Sequence, residues 1–274
     1  MAAVNETTLE LGDLPVVVLR RGSGRPLLML HDELGFPGWM RWNEQLAGSH
    51  EFVVPLQPGF GRTPRVPWLR DFRDLAVLYT RLVREMGLAP VDVIGFSAGA
   101  YIAAEMAVMN PDQFARMVLV GPLGLRPLDG EIFDFLAVTM TTHVAATVSH
   151  HEAEEFGTMY GGEVTPEQFE LFEAARGETS RLGWEPFMFD PSLPHHLAGI
   201  GDLPTMVVWG DEDLIVPRGV VDAYAAALPA ARIEIMPGVG HRPEIEDVVG
   251  FVACLSTFLG EPPRAAAERK DPAC

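Results

Sequence analysis

A chain of 274 residues that is 48% apolar and 21% charged has material for a large domain, since a chain near this length buries about three quarters of its unfolded surface. With 27 Gly and 23 Pro, near ordinary usage, it is neither collagenous, coiled-coil nor disordered. Thirty-eight acidic against 20 basic side chains give a formal charge of −18, a field that repels phosphate backbones and anionic lipid surfaces, so neither nucleic acid nor membrane is an expected partner.

The start, MAAVNETTLELGDL, has no basic segment followed by an apolar stretch, and no window approaches the about 18 apolar residues of a membrane span. The two cysteines, Cys254 and Cys274, cannot build a disulfide framework. A cytoplasmic protein is expected. In chain order, strands are predicted at PVVVLR (15–20), PLLML (26–30), FVVPL (52–56), VDVIGF (91–96), RMVLVG (116–121), TMVVWG (205–210) and RIEIMP (232–237). Several are apolar throughout, as strands covered on both faces must be, so a buried, mostly parallel sheet follows. The first two, joined through RRGSGRP, read as an antiparallel edge.

Between strands, residues 71–87 set Leu75, Leu78, Tyr79, Leu82, Val83 and Met86 on one helical stripe. Further helices are predicted at 98–109, 218–228 and 244–259, giving the βα alternation of a doubly wound α/β fold. The alternation stops between residues 125 and 200, where helices are predicted at 130–147, 149–157 and 165–181. This stretch reads as an inserted helical lid on a core formed by residues 1–124 and 201–260. It is rich in aromatic and Met side chains, of which Phe133, Phe135, Met159, Trp184 and Phe187, with His31 and Phe96 from the core, are candidates for a substrate pocket. Residues 261–274 read as a disordered tail.

The segment GFSAG (95–99) follows the apolar strand VDVI and precedes a helix-forming run. It matches the GxSxG turn, in which a sharp strand-to-helix bend exposes a serine hydroxyl and small neighbours let the bend close. Ser97 is therefore the candidate nucleophile. A serine hydroxyl needs a base, and the base needs an acid to fix its tautomer. His241, in GHRPEIED after the strand RIEIM, is the candidate base. TMVVWGDEDLIVP offers Asp211, Glu212 and Asp213 as acids directly after a strand.

Together HDELG, GFSAG, GDEDLIVP and GHRPEIED resemble the α/β-hydrolase family, over nearly all of residues 15–260. The resemblance implies that Asp213, three residues after the glycine closing its strand, is the acid rather than Asp211. It also implies an oxyanion hole of two backbone amides, from Ala98 and from the loop after the third strand. Relatives often read His-Gly-x in that loop; here it reads His31, Asp32, Glu33, Leu34, Gly35, so Asp32 stands where glycine is usual and Glu33 is the candidate for the second amide. The Asp32 and Glu33 side chains are expected to point to solvent or to pair with Arg62; the alternative is that they stand near the site, where they would disfavour anionic substrates or assist a proton transfer. QPGFGRTP (57–64) is similar to a pocket-wall loop of the family.

HHEAEE (150–155) lacks the second histidine of HExxH, and no GxGxxG or GxxxxGKS loop occurs, so neither a metal nor a cofactor is expected. The leading expectation is an esterase-like serine hydrolase acting on a small, fairly hydrophobic, uncharged substrate. The alternatives are hydrolysis of a carbon–carbon bond in a diketone-like substrate, since VLVGPLGLRP (118–127) is similar to the lid entry of relatives with that activity, and a receptor that binds without turnover.

Overall fold

The computed structural model describes residues 4–160 and 165–262, without side chains for 158–160. The predicted tail lies, from residue 263 onward, outside the described residues. Eight strands, β1 (Asn5–Leu11), β2 (Leu14–Gly22), β3 (Arg25–Leu30), β4 (His50–Pro55), β5 (Val91–Phe96), β6 (Phe114–Val120), β7 (Thr205–Gly210) and β8 (Arg232–Met236), form one sheet in the order β1-β2-β4-β3-β5-β6-β7-β8. Pairing is antiparallel for β1 with β2 and β2 with β4, and parallel from β4 through β8. This is the mostly parallel α/β-hydrolase sheet that the sequence predicts.

The edge is built differently from the expected hairpin. β2 and β3 are not neighbours, because β4 lies between them. The turn joining them donates Ser23 N–H to Ala47 O (2.9 Å) and Arg25 N–H to Ser49 O (3.2 Å), so it clasps the chain entering β4 instead of closing on itself. β1 (NETTLEL), which has too few apolar residues to read as a strand, supplies the antiparallel partner; its pattern is exposed because it covers an edge.

Side chains alternate across each strand and so divide between two cores. Leu28 and Leu30 of β3 pack with α2 (Phe72–Glu85), α3 (Ala98–Met109), α7 (Leu193–Leu197) and α8 (Arg218–Ala227). Leu27 and Met29 face the other way, towards α1 (Arg41–Leu46) and α10 (Val248–Gly260). The predicted helix 244–259 is split into α9 (Pro243–Glu246) and α10 because the Asp247 side chain caps the second helix through Gly250 N–H (2.9 Å).

Between β6 and β7 the described residues hold helices and no strand: α4 (Met140–Ala146), α5 (Glu154–Tyr160), α6 (Pro166–Leu182) and α7. The expected helix at 130–147 is confined to its last two turns. Asp134 accepts from the Leu136 and Ala137 amides, making a turn, and Thr139 then starts α4 by accepting from Thr142 N–H. No helix among the described residues is long and apolar enough to cross a membrane.

One charge pair lies inside the sheet. Asp92 of β5 stands in register with Arg116 of β6, and the guanidinium donates to Asp92 Oδ1 at 2.8 Å, with both side chains at most 3% exposed. Removing one partner strands a buried charge. Arg116→Leu should therefore lower unfolding free energy by about 3–5 kcal/mol, measured as a fall in the denaturant midpoint.

Candidate active site

The fold brings the sequence motifs to the carboxyl ends of the parallel strands. Ser97 sits between β5 and α3 with φ 48° and ψ −110°, outside the regions comfortable for a residue with a Cβ. The flanking glycines are dictated by space. A Cβ on Gly99 would lie 2.2 Å from Leu30 O and 2.5 Å from His31 O, and one on Gly95 would lie 2.4 Å from Gly99 O. The first turn of α3 is thus pressed against the end of β3. Ala98 is the first residue of that helix, so its N–H has no acceptor within the helix and is available to a ligand.

His241 and Asp213 meet across two loops. Asp213 Oδ1 accepts from the Ile215 and Val216 amides, both at 2.8 Å, which turns Oδ2 to His241 Nδ1, also at 2.8 Å. Both side chains are buried. Asp211 is used elsewhere, accepting from Gly238 N–H at the surface. Burial alone would lower the His241 pKa, but the Asp213 charge and hydrogen bond, joined by the Glu33 charge, raise it to about 9. Gly121 makes room for the ring: a Cβ there would stand 2.8 Å from His241 Cε1 and Nδ1. The preceding residue, Val120, accepts the Ser97 N–H at 2.9 Å, so the ends of β5 and β6 hold the serine and the imidazole in one neighbourhood.

The Ser97 hydroxyl is buried and has no aligned hydrogen-bond partner among the described residues, so no Ser97–His241 hydrogen bond is formed. It lies instead against the Glu33 carboxyl, close enough to favour its ionised form. This overturns the expectation that the Asp32 and Glu33 side chains point to solvent or pair with Arg62. Asp32 and Glu33 are 2% and 1% exposed, and Arg62 pairs with Glu6 instead. Asp32 Oδ1 accepts from Leu34 N–H (2.9 Å), and Oδ2 is bonded by Arg242, whose Nε bonds Glu244. An aspartate whose side chain can bind the backbone two residues on makes this turn without glycine.

Glu33 is held at both ends. Its carbonyl accepts from Thr179 of α6 (3.0 Å), and its Oε1 faces His143 Nε2 of α4 at 3.2 Å. Burial raises its pKa, but the His143 hydrogen bond, the imidazole charges of His241 and His143, and the Ser97 hydroxyl outweigh burial and keep it well below the usual carboxylate range. Next to it, burial pushes Asp32 up to about 7 against the pull of Arg242, with Glu33 and Glu244 adding to the rise. His31 is pushed by burial down to about 4; it is therefore neutral, its Nε2 accepting from Gln57 N–H and its Nδ1 donating to Asp32 O.

The predicted pocket residues divide. Phe135 is fully buried and stacks on His143, with ring centroids 4.8 Å apart, while Phe133 lies 6.3 Å from the same ring. Phe187 lies 5.5 Å from Phe135. His31 lines a cavity of about 230 Å³ with Leu34, Phe60 and Phe172. Two expectations are corrected. Trp184 is 64% exposed, because the turn after α6 carries it to the surface, and Phe96 packs against Trp42 and Phe251 on the α10 side of the sheet, where its strand parity sends it. The side chain of Met159 lies outside the described residues. His143 and Arg242 escaped the sequence reading. His143 follows no motif and stands 110 residues from its partner, while Arg242, adjacent to His241, was visible only as a surface-type residue.

The His-rich segment serves the loops. His150 Nε2 contacts Gly238 O at 2.8 Å and His151 Nε2 contacts Ala145 O at 2.9 Å. Among the described residues no three His, Cys, Asp or Glu side chains form a group that could hold a metal.

Comparison with known proteins agrees with this architecture. A sequence model of the family described as alpha/beta hydrolase fold matches residues 25–247. The 2-hydroxymuconate semialdehyde hydrolase of Pseudomonas sp. (strain CF600) is 27% identical over 261 residues, 89% of this chain and 90% of the relative. Lipase 1 of Psychrobacter immobilis is also 27% identical, over 89% of this chain and 80% of its own length. Among solved structures, the 2-hydroxy-6-oxo-6-phenylhexa-2,4-dienoate hydrolase of Rhodococcus sp. strain RHA1 superposes with a TM-score of 0.75 at 19% identity, covering 95% of this chain and all of the other. The chain belongs to the alpha/beta hydrolase fold family.

Proposed function

We propose that this hydrolase cleaves a carboxyl ester of a small substrate that carries no negative charge, using Ser97 as nucleophile, His241 as base and Asp213 as its orienting acid. Ser97 Oγ attacks the acyl carbon while its proton passes to His241 Nε2, and the Ala98 and Glu33 amides hold the developing oxyanion. The tetrahedral intermediate expels the alcohol, which takes the proton from His241. Water, deprotonated by the same imidazole, then releases the acid and restores the hydroxyl. The hydroxyl, which interacts with Glu33, must first turn towards His241. Residues 125–200 are read as the lid, since α4 and α6 supply His143 and Thr179 to the loop that carries Glu33.

The observation that carries the ester reading is the sign of the charge around Ser97. The dienoate named for the Rhodococcus relative is an anion. Here Glu33 is ionised beside the serine, and the nearby Arg242 is already bonded to Asp32 and Glu244. An anionic substrate would meet the Glu33 carboxylate beside the serine and find the nearby guanidinium committed to Asp32 and Glu244. Carbon–carbon bond hydrolysis is the second reading, favoured by the identity to the semialdehyde hydrolase.

A panel of p-nitrophenyl esters of increasing chain length, run beside a 2-hydroxy-6-oxo-dienoate, should show multiple turnover of a short ester and little turnover of the dienoate. Faster cleavage of the dienoate would select the second reading, and a single stoichiometric burst would indicate a receptor. Ser97→Ala and His241→Ala should each lower kcat by about 10⁶-fold; unchanged rates would reject the assignment. Only the neutral imidazole accepts the serine proton, and Asp213 and Glu33 favour the imidazolium. The kcat/KM of the free enzyme should therefore rise with pH and level off above about 9, and Glu33→Gln should move that limb to lower pH.

A further inference from the structure

Glu33 has a side chain that the proposed reaction does not use. Its amide is assigned to the oxyanion, yet its carboxylate is 1% exposed inside the same centre, ionised, and aligned with a hydrogen-bond donor at Oε1 alone, the Ser97 hydroxyl lying against it without alignment. Oε1 faces His143 Nε2; Oε2 is buried without a hydrogen-bond partner among the described residues. A buried carboxylate oxygen left unmatched is unfavourable, and such an atom at a reacting centre marks a place where a ligand donor completes the set. His143 cannot supply a second bond, because its ring is fixed by stacking on Phe135.

The neighbours say what kind of donor. The groups facing Glu33 are the Ser97 hydroxyl, the His241 imidazole and the His143 imidazole. Behind it, Asp32 and Glu244 hold Arg242. The next carboxylate, Asp213, is matched by His241 and two amides. Glu33 Oε2 is thus the carboxylate oxygen beside Ser97 left without a hydrogen-bond partner among the described residues, within a chain whose overall charge of −18 draws cations towards it.

Geometry then fixes where on the substrate the cation sits. During attack the leaving oxygen must face His241 to receive its proton, and the carbonyl oxygen must face the two amides. The acyl chain is the remaining substituent on a carbon bonded to Ser97 Oγ. Its first carbon lies one bond beyond the carbon that Ser97 Oγ attacks, and the Glu33 carboxyl is the charged group with which that serine hydroxyl interacts.

Resting on the serine-hydrolase reading, we propose that the Glu33 side chain is the specificity-determining group of this site, its Oε2 receiving an ammonium group on the carbon next to the scissile carbonyl, so that esters of 2-amino acids are the preferred substrate class. The reaction balances as written for any ester: the ammonium binds and is released unchanged. His143 is the positioning residue that presents the carboxylate.

Three methyl esters of nearly equal size test this at pH 7, with methanol release measured by chromatography: methyl 2-aminopropanoate, methyl 2-hydroxypropanoate and methyl 2-methylpropanoate. The wild-type protein should give the amino ester a kcat/KM about tenfold or more above the methyl-branched ester, with the hydroxy ester between them. Glu33→Gln, which keeps the backbone amide and the size of the side chain, should cut that ratio about tenfold or more. Because the 2-ammonium group itself activates the ester carbonyl, each rate is divided by that of the same ester with hydroxide, and this normalised wild-type series stands alone if the variant does not fold. Equal or faster cleavage of the methyl-branched ester, or a preference for the hydroxy ester over the amino ester, overturns the ammonium site while leaving ester hydrolysis in place. Failure to cleave any of the three, together with failure on the p-nitrophenyl panel, removes the hydrolase reading and the ammonium site with it.

Discussion

The arrangement depends on one close approach of backbone to backbone, where the first turn of α3 rests on the last residues of β3. Only glycine fits at position 99, against the Leu30 and His31 carbonyls, and only glycine fits at 95, against the turn itself. The contact forces Ser97 into its left-handed backbone and sets the open end of a helix beside the HDELG loop. Strain at Ser97 is stored there because its N–H donates to Val120 O and its carbonyl accepts from Leu123 N–H and the first turn of α3, which determine the backbone more strongly than the residue resists it.

Electrostatics then shape what this corner can do. Ionisable groups are gathered at the strand ends with little water, and each takes its state from its neighbours. Asp213 is satisfied by two amides and an imidazole. Asp32 and Glu33, adjacent in sequence, are driven apart, the first towards its protonated form by burial and the second towards its charged form by two imidazoles. Arg242 bridges the loop after β3 to the loop carrying His241, so its role is to fix two loops to each other at the cost of its own availability.

The fold was legible because its signals are local and strong. The apolar runs of β5, β6 and β7 and the stripe of α2 come from burial on both faces or one, and the helix 98–109 matches α3 residue for residue. The antiparallel edge was not legible, since pairing partners depend on which strand enters between two others, and the polar β1 has no burial pattern to reveal it. In the site, the segments with a motif, those of Ser97, Asp213 and His241, are the ones whose place at the strand ends the sequence shows. The burial of Asp32 and Glu33 was missed because a charged pair in a loop reads as solvated until its partners are known. Those partners, His143 and Arg242, come from distant segments that only the folded chain joins.

The Arg242 bridge also bears on when the centre comes into being. It ties the loop after β3 to a segment that lies far along the chain, beyond strands β4 to β8 of the sheet, and the His241 imidazole beside it belongs to that same segment. Contacts between parts so far apart along a chain form last, after the sheet between them has closed. A chain whose sheet has not yet closed therefore carries Ser97 on its turn before the His241 loop is docked, and the charged groups of this corner take their states only when the two loops meet.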